Sequence, residues 1–456
     1  MNFKLSKYIV ITDVLDPNSD VHQRILFSTR SGISTLIEEG LYQSLLKGDF
    51  STIDTTALAR LMEYEIIVHS LEDEFQEILK LNKLGVKDTK CVSMTIQPTA
   101  NCQLGCFYCG QVHSKLTMTQ EIQDKIIERL YYQLDKKPDT ELVHTTWYGG
   151  EPLMGYSAII NLSNKMQEIA YERNLRYSAS IITNGLSLKK DIFTELYLNH
   201  KVKRFQITLD TTKEHHDKRR ITKKGESTFD IIMKNILDIC SLDHYQQFVT
   251  HPIFIRMNID ETNYLQANEM VDYMASLGLQ DKVEMGFFPI TNWGDKTVGD
   301  EQGLTTIEFA ELEIEWLMYL LEKGFPVKYV LPTRNYDVCM VVNEASEVYD
   351  ATGNITPCYE FPYTPKYTEE KHIIGNLLQD KTTFNKNTQV RGWYDDLATC
   401  NVSPKCSKCN LFPVCNGNCP KDWYNGEITC PTMKANIEDK LVLQYLIDKS
   451  QLQTLG

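Results

Sequence analysis

Apolar and polar residues alternate with two different periods in the first 88 positions of the chain. The stretches "KYIVITDV" and "QRILFSTRSGI" alternate at about every second residue, which predicts a pair of antiparallel strands. Three later stretches have the spacing of amphipathic helices: "ISTLIEEGLYQSLLKG", "DTTALARLM" and "SLEDEFQEILKLNKLG". The apolar stripe of the last one consists of Leu71, Phe75, Ile78, Leu79 and Leu81. Gly85 is the predicted end of that helix, and the segment as a whole is predicted to form a small α+β module.

Strand-like and helix-like segments alternate from Val92 to Ile290. The strand-like segments are "VSMTIQPT", "LVHTTWYGGEP", "YSASIITNG", "VKRFQITLD", "FVTHPIFIRMNID" and "KVEMGFFPI", with helical stretches between them. This alternation predicts an α/β fold whose parallel sheet is open or curved into a partial barrel. The ligand site of such a sheet lies at the carboxyl ends of its strands. The loop after the first strand and the turns "YGGEP", "TNG" and "TLD" are therefore expected to converge.

The helix after the first strand is predicted to begin with a capping box of Thr117 and Gln120. Its buried face is predicted to hold Ile122, Ile126, Leu130 and Leu134. Beyond the sixth strand, "TTIEFAELEIEWLMYLLEKG" and "MKANIEDKLVLQYLIDKS" are further predicted helices. Residues 336–430, by contrast, are rich in loops, cysteine, proline and glycine. A segment of this kind without its own core is expected to need bound metal for stability.

The composition is that of an ordinary globular protein, with 456 residues, 42% hydrophobic and 24% charged. Its net charge of −14 argues against nucleic acid or an anionic membrane as the main partner, because both require a basic surface. The start, "MNFKLSKYIVITDVLD", lacks the apolar region of a signal peptide, and no stretch approaches the ~20 apolar residues of a membrane span. We therefore predict a cytoplasmic location, where thiols stay reduced. The 13 cysteines then indicate metal binding rather than disulfides, except that Cys91 and Cys240 stand alone and are expected to be small buried residues.

Three cysteines stand close together in "NCQLGCFYCG", directly after the first strand: Cys102, Cys106 and Cys109. Structural zinc takes four ligands, so a zinc site here would need a fourth, for which His113 is the nearest histidine. Iron–sulfur clusters are the other common site for thiolates at such short spacings. A cubane cluster held by three cysteines leaves one iron open to an external ligand, as a catalytic metal requires.

The CxxxCxxC spacing, the aromatic residue before its third cysteine and "GGEP" after the second strand together resemble the radical S-adenosylmethionine (SAM) enzymes. The resemblance implies a partial (β/α)6 barrel and a [4Fe-4S] cluster whose open iron binds SAM. One-electron reduction then cleaves SAM to methionine and a 5′-deoxyadenosyl radical. The SAM contacts that it implies are Tyr108, Gly149, Gly150, Glu151, Thr208, Asp210 and Arg220. Thr211 departs from the family, which usually has glycine after the acidic residue.

The later cysteines resemble the SPASM domain, which holds two auxiliary iron–sulfur clusters in enzymes that modify peptides and proteins. The resemblance implies three [4Fe-4S] clusters in all, with zinc ribbons as the alternative. The distal auxiliary cluster would be held by Cys406, Cys409, Cys415 and Cys430. The proximal one would be held by Cys339, Cys358 and Cys419. Its fourth position is either open, for instance to a substrate thiolate, or filled by another group such as Cys400.

The chain is accordingly predicted to have five parts. They are a winged-helix-like peptide (leader) recognition module at 1–88, a radical SAM partial barrel at 89–304, a bridging helix region at 305–335, a loop-rich iron–sulfur SPASM domain at 336–435 and a C-terminal helix at 436–456. The first part binds a leader peptide at its sheet edge or is a plain structural cap.

Three functions are compatible with these resemblances. The first is a maturase that abstracts hydrogen from a ribosomally made precursor peptide and installs a thioether or carbon–carbon crosslink. The second is an anaerobic sulfatase-maturing enzyme, which makes formylglycine from Cys or Ser. Those enzymes typically have an Asp where this chain has Tyr359, and they generally lack an N-terminal module of this size. A non-enzymatic iron–sulfur or zinc scaffold is the third. Tyr359 and Glu360 are candidate catalytic residues by position alone, and the expected partners are the precursor peptide and an electron donor such as flavodoxin or ferredoxin.

Overall fold

The computed structural model describes residues 3–243, 245–247, 251–328, 330–379, 384–385, 388–399, 405–427 and 430–454. Its N-terminal module has an antiparallel pair, β1 (Phe3–Leu5) and β5 (Ile67–His69), and a three-stranded antiparallel sheet of β2 (Ile9–Ile11), β3 (Gln23–Ser28) and β4 (Ile33–Glu38). The helices are α1 (Glu39–Lys47), α2 (Thr55–Glu63) and α3 (Glu74–Asp88). The antiparallel pair β2–β3 and the α+β content are as predicted. The winged-helix-like character stays a prediction.

Two details of this module differ from the prediction. The stretch "ISTLIE" forms β4 instead of the first turns of a helix, because its whole length pairs with β3. Helix α3 does not end at Gly85 but continues to Asp88. Glycine is required there for a close approach, since a Cβ atom would lie 2.4 Å from the side chain of Tyr336.

Six parallel strands follow in the order of the chain. They are β6 (Cys91–Ile96), β7 (Leu142–Trp147), β8 (Arg176–Thr183), β9 (Val202–Thr208), β10 (Ile253–Ile259) and β11 (Val283–Pro289). Each strand pairs in parallel with the next, and β11 ends the sheet without returning to β6. The predicted α/β fold with an open, partial (β/α)6 barrel is confirmed.

The helices between these strands lie close to where they were predicted. They are α4 (Gln120–Lys136), α5 (Tyr156–Glu172), α6 (Lys190–Leu198), α7 (Lys213–Arg219), α8 (Phe229–Cys240) and α9 (Ala267–Ser276). The short helix α7 was not predicted. The N-cap of α4 is Thr119, whose side chain accepts a hydrogen bond from the Ile122 amide, so the predicted capping box at Thr117 is wrong.

The barrel core lies between the strands and the surrounding helices. The predicted inner face of α4 is buried as expected. On β9, Phe205 and Ile207 are at most 1% exposed, and burying a side chain of this size stabilises the fold by about 1.5–3 kcal/mol. The residues that alternate with them, Gln206 and Thr208, line the cavity on the concave side of the sheet. This alternation gives the sheet an apolar outer face and a polar inner face.

The C-terminal third extends the barrel sheet, which the sequence did not predict. Its elements are α10 (Val298–Gln302), α11 (Thr306–Glu322), β12 (Ser346–Tyr349), β13 (Asn354–Thr356), β14 (Gly375–Asn376), α12 (Trp393–Ala398), α13 (Phe412–Cys415), α14 (Pro420–Tyr424) and α15 (Met433–Thr454). Strand β12 pairs in parallel with β6, and β13 and β14 continue the sheet to nine strands. The expectation that residues 336–430 lack a core is also wrong, because Phe361, Trp393 and Phe412 are at most 2% exposed within a shared apolar cluster.

The N-terminal module packs directly against this cysteine-rich region. Phe75 of α3 lies with its ring 5.0 Å from that of Phe412. Phe27 of β3 shares a second apolar cluster with Leu411 and Val414, which lie between two of the clustered cysteines. The module is therefore part of the same packed body as the cysteine-rich region. Among the helices that the structure describes, none combines the length and apolar character needed to cross a membrane.

Candidate active site

The loop after β6 carries the three closely spaced cysteines. Backbone hydrogen bonds fold it tightly, with the Cys109 amide donating to the Cys106 carbonyl at 3.2 Å. The Cys102 sulfur accepts from the Leu104 amide at 3.4 Å and from the Asn184 side chain at 3.8 Å. Hydrogen bonds of this kind favour a thiolate over a thiol. The loop therefore presents sulfurs suited to a metal.

Burial acts in the opposite direction on the free thiols. It raises the pKa of Cys102 to about 12 and that of Cys106 to about 11. As free thiols these groups would stay protonated at neutral pH, so only a bound metal would keep them as thiolates. His113, the sequence's candidate fourth ligand, has its Nε2 3.9 Å from the Cys109 sulfur. Within the described residues, no three His, Cys, Asp or Glu side chains converge on a position for a single metal ion.

The "GGEP" loop after β7 lies against the cysteine loop. Gly149 has a φ of +114°, and a Cβ atom at Gly150 would lie 2.4 Å from the Asn101 carbonyl oxygen, so both positions require glycine. Both glycines line the cavity beside the cysteines. The Glu151 amide donates to the same Asn101 carbonyl at 2.7 Å. The two loops are therefore held together through their backbones.

The Glu151 side chain points into the protein and is 1% exposed. Its Oε1 accepts hydrogen bonds from the Thr183 hydroxyl at 2.7 Å and the Leu153 amide at 3.1 Å, and its Oε2 accepts from the Asn184 amide at 2.8 Å. Burial raises the pKa of this carboxyl, while these hydrogen bonds act to lower it. Glu151 thus connects the "GGEP" loop to the turn after β8, and it is not among the residues lining the cavity.

Tyr108 and the turn after β9 form one hydrogen-bond network. The Tyr108 hydroxyl donates to Asp210 Oδ2 at 2.8 Å and accepts from Arg220 Nη1 at 2.6 Å. Burial acts to lower the pKa of Arg220, but the neighbouring Cys106, Tyr108 and Asp210 outweigh it and raise the pKa well above its ordinary value. Of the sequence-predicted contacts in this network, Tyr108 and Arg220 line the cavity, as does Thr208, whereas Asp210 lies behind them.

Two features of this turn could not be read from the sequence. Thr211 has a φ of +61°, a conformation that a β-branched residue rarely adopts. Thr211 thus takes a left-handed conformation that glycine would adopt without strain. Arg219, next to the predicted Arg220, donates to Asp210 at 3.1 Å and to Asp260 at 2.7 Å. The adjacent arginines therefore have separate roles, since Arg219 holds the turn and Arg220 faces the cavity.

These loops enclose one cavity of about 250 Å³ at the carboxyl ends of the strands. Its lining includes residues from all four turns that were expected to converge: the cysteine loop, "YGGEP", "TNG" and "TLD". Tyr359 and Glu360 lie in its wall, where the Tyr359 ring is 5.3 Å from that of Tyr148. Glu360 forms an ion pair with Lys421 at 2.9 Å. The predicted convergence is confirmed, and the two candidate catalytic residues border the same space.

Sequence reasoning missed several cavity residues. Arg256 and Asn258 on β10 and Trp293 after β11 all line the cavity. Arg256 donates through Nε to Asn258 at 2.9 Å and forms no ion pair within the described residues. The signal was present in "FIRMNI", where the polar residues alternate with the buried Ile255, Met257 and Ile259.

The structure also groups the C-terminal cysteines into two sets. One set borders a small cavity of about 40 Å³ and comprises Cys406, Cys409, Cys415 and Cys430. In the other set, Cys339 and Cys419 lie close enough to the buried Cys358 to raise the pKa of its thiol through their charges. Burial raises the pKa of the Cys358 thiol. It also raises the pKa of the Cys419 thiol, to about 12. These are the two groups expected from the SPASM resemblance, while Cys400 lies outside the described residues.

Residues 96–286 match the model of the radical SAM superfamily. This chain is a radical SAM enzyme. The match covers the cysteine loop, the "GGEP" loop and the turn after β9, which together form the cavity described above. The cysteine-rich C-terminal region is of the SPASM type.

Several proteins resemble this radical SAM enzyme over most of its length. The cysteine-type anaerobic sulfatase-maturating enzyme of Clostridium novyi (strain NT) is 25% identical over 389 residues, which cover 77% of this chain and 96% of the relative. The structure of native anSMEcpe with bound AdoMet has a TM-score of 0.57 and 17% identity, covering 78% of this chain and 99% of that one. Streptococcus suis SuiB bound to precursor peptide SuiA has a TM-score of 0.50 and 14% identity, covering 91% and 95%. The two structures share the fold of this chain.

The residues present fit SAM and its [4Fe-4S] cluster. Cys102, Cys106 and Cys109 supply three thiolates and leave one iron position for SAM. The buried Nε of Arg220, which lines the cavity, has no hydrogen-bond partner among the described residues. A ligand with a carboxylate or hydroxyl group would satisfy it. When bound, this pair of cofactors supplies a hydrogen-abstracting 5′-deoxyadenosyl radical, and the chain supplies the cavity at the carboxyl ends of the strands that would hold them.

Proposed function

We propose that this radical SAM enzyme matures a ribosomally made precursor peptide by abstracting hydrogen and installing a crosslink. The observation that carries the proposal is the N-terminal module with its open sheet edge. Strand β4 ends the three-stranded sheet, and within the described residues no further strand pairs with it. An extended peptide can add to such an edge through main-chain hydrogen bonds.

The surface of β4 supports a peptide partner. Ile33 is 38% exposed and Leu36 is 41% exposed along this edge strand. An exposed apolar edge strand is a liability for a protein that has no partner for it. Apolar side chains of a bound leader would cover these two residues while its backbone pairs with β4.

The coverage of the similar folds supports the same conclusion. The anSMEcpe fold covers 78% of this chain but 99% of its own, so a fifth of this chain has no counterpart there. The SuiB fold covers 91% of this chain. SuiB is bound to a precursor peptide in that structure. The extra part of the present chain is of the size of its N-terminal module.

We assign two auxiliary clusters to the C-terminal cysteines as part of this proposal. The four cysteines around the small cavity would hold the distal cluster, and Cys339, Cys358 and Cys419 would hold the proximal one. The position of Glu360 supports a proximal cluster close to the substrate. Glu360 lines the SAM cavity, and its charge also acts on the thiols of Cys358 and Cys419. An open iron in the proximal cluster would bind a substrate thiolate, which favours a thioether product.

Sulfatase maturation is the second candidate, because the sulfatase-maturating relative matches 96% of its own length. Against it stands Tyr359, which follows Cys358 where those enzymes typically have an acidic base. A phenol that borders the cavity cannot replace a carboxylate as a base at neutral pH. The N-terminal module also argues against it, because sulfatase-maturing enzymes generally lack a module of this size.

The test uses reconstituted enzyme with two probes, a short peptide encoded beside its gene and a sulfatase-derived peptide containing Cys. A crosslink removes two hydrogens and retains sulfur, whereas formylglycine formation replaces the thiol by an aldehyde, and mass spectrometry separates the two. We expect the first product with the first peptide. Leu36→Asp should abolish its turnover, while Leu198→Asp, a matched exposed leucine on α6, should not. Formylglycine in the sulfatase peptide as the main product would contradict the proposal.

A further inference from the structure

Arg256 of β10 brings a positive charge into the lining of the SAM cavity. Its Nε donates a hydrogen bond to Asn258 Oδ1 at 2.9 Å, and its guanidinium carbon lies 3.9 Å from the centroid of the Phe288 ring. Asn258 is held in turn, because its side-chain amide donates to the Tyr108 hydroxyl at 3.2 Å. One edge and one face of the guanidinium are thus in contact with the protein, which restricts the orientation of the group.

The other edge of this guanidinium is left for a ligand. The N–H donor at Nε is used, while the terminal nitrogens of Arg256 have no hydrogen-bond partner among the described residues. Burial lowers the pKa of Arg256 from its ordinary value, yet an arginine stays charged at neutral pH. A charge that is removed from water in this way is normally paired with a group of opposite charge.

The carboxylates closest to the cavity are paired with other cations. Asp210 forms an ion pair with Arg219 at 3.1 Å, and Glu360 forms one with Lys421 at 2.9 Å. Within the part of the chain that the structure describes, no carboxylate forms an ion pair with Arg256. Its counter-charge therefore has to come from a molecule that binds in the cavity.

Arg204 on the neighbouring strand β9 provides an internal comparison. Its guanidinium also lies over a phenylalanine ring, that of Phe254, at 4.6 Å. Unlike Arg256, it has a carboxylate partner, Glu284, at 3.0 Å, and it does not line the cavity. Stacking on a ring is therefore common to both arginines, whereas the missing counter-charge is specific to the one in the cavity.

The two arginines that line the cavity have different neighbours. The group whose charge raises the pKa of Arg220 most is Cys106 of the cysteine loop. For Arg256 that group is Tyr359, which follows Cys358 in the C-terminal region. Arg220 is thus coupled to the cysteines that would hold the SAM-binding cluster, and Arg256 to the wall that the C-terminal region contributes.

We propose that Arg256 binds a carboxylate of the substrate peptide and makes the enzyme specific for peptides with an acidic residue near the site of hydrogen abstraction. The planar fork of the guanidinium matches a carboxylate through two parallel hydrogen bonds. Such a contact fixes both the position and the orientation of the peptide, which hydrogen abstraction from one defined carbon requires. The inference deepens the proposed function by naming a class of substrate, and it rests on that function for the peptide nature of the substrate.

The test is a double-mutant cycle between enzyme and peptide, measured both as peptide affinity without turnover and as steady-state kinetics. The peptide is whichever of the two probes above the enzyme modifies, so the cycle can be completed with either product. Each Asp or Glu of that peptide is replaced in turn by Asn or Gln. We expect Arg256→Gln to raise the KM for the parent peptide about tenfold or more, because the bound carboxylate loses its charged partner. Arg256→Lys keeps the charge without the fork and should raise the KM less.

One amide variant of the peptide should weaken binding to the parent enzyme about as much as Arg256→Gln does. The same peptide variant should have little further effect on Arg256→Gln, because the two changes remove one shared contact. Additive effects for every peptide variant would overturn the proposal, as would an unchanged KM in Arg256→Gln.

The matched control is Arg204→Gln, which removes the same charge outside the cavity and should leave the KM for the peptide within about twofold of the parent value. SAM also carries a carboxylate, so SAM affinity is measured by calorimetry in all variants. It should be unchanged in Arg256→Gln, and so should the melting temperature without peptide. A loss of SAM affinity with normal peptide binding would assign Arg256 to SAM and overturn the proposal.

Discussion

Replacing Glu151 by Gln separates two roles for this residue. The family resemblance suggests a contact with SAM, whereas the structure shows a buried carboxylate that connects two loops. Gln keeps the shape of the side chain but replaces one accepting oxygen with an NH2 group. That group would face a backbone N–H, either at Asn184 or at Leu153. If the structure is the better guide, the fold should lose stability even without SAM.

The magnitude follows from the hydrogen bonds. Leaving one buried donor without an acceptor costs about 1–3 kcal/mol. For a barrel of this size, each kcal/mol lowers the melting temperature by about 2–4 °C. We therefore expect Glu151→Gln to lower the melting temperature by about 2–12 °C. Glu151→Ala leaves both amides unpaired and should lower it about twice as far.

The assay is anaerobic thermal unfolding of the holoenzyme, with and without SAM. The matched control is Glu168→Gln, an exposed glutamate on α5, which should melt with the parent protein. SAM affinity should fall in Glu151→Gln as a consequence of the displaced loops. A variant that melts like the parent without SAM and yet fails to bind SAM would refute the structural role and restore the direct contact.

Four further predictions follow from other contacts in the structure. Replacing Cys102, Cys106 and Cys109 together by Ala should remove the iron of about one cubane and abolish SAM cleavage; an unchanged iron content would contradict the site. Arg129 holds the buried Glu347 through two hydrogen bonds, so Arg129→Met should cost about 3–5 kcal/mol in unfolding experiments, and Arg129→Met/Glu347→Leu should recover much of it. Burial acts to raise the pKa of Glu347, but Arg129 lowers it below its ordinary 4.5. The stabilisation by this pair is therefore present above pH 4.5 and lost in acid as the pH falls through the lowered pKa. Urea titrations at several pH values would detect this loss in the parent protein, and the loss should be absent in the double variant. Deleting residues 1–88 uncovers Leu411 and Val414, so iron content should fall along with peptide binding, and full iron would refute the shared core.

The β/α part of the fold could be predicted because each strand and helix shows its own period of apolar residues within a short stretch of sequence. Each barrel strand has apolar outer residues of its own, as Phe205 and Ile207 show, and each helix carries its own buried face. The cysteine loop and its neighbours were predictable for another reason. Parallel strands bring the loops at their carboxyl ends together whatever the side chains are, so motifs far apart in sequence could be expected at one site.

The missed features depend on contacts that are distant along the chain. Strand β4 has one buried residue, Ile37, so its pattern resembles a helix until the pairing with β3 is known. Gly85 resembles a helix end, but the reason for glycine is Tyr336, far away in sequence. Strand β12 has four residues and no alternation to detect, since all of them are buried. Glu151 stands in a binding motif, and only the structure shows where its carboxylate points.

The ion pair between the partly exposed Glu360 and the buried Lys421 connects the SAM cavity to the second set of C-terminal cysteines. Glu360 borders the cavity and follows closely on Cys358, while Lys421 opens the helix that begins after Cys419. Lys421 is 6% exposed and also forms an ion pair with Asp422 at 2.8 Å, so this lysine lies between two carboxylates, one of which borders the cavity. Glu360 in the cavity wall therefore also acts through its charge on the thiols of Cys358 and Cys419. The SAM cavity and the three cysteines proposed to hold the proximal cluster are thus connected through Glu360, as the proposed crosslinking reaction with an electron acceptor beside the substrate would require.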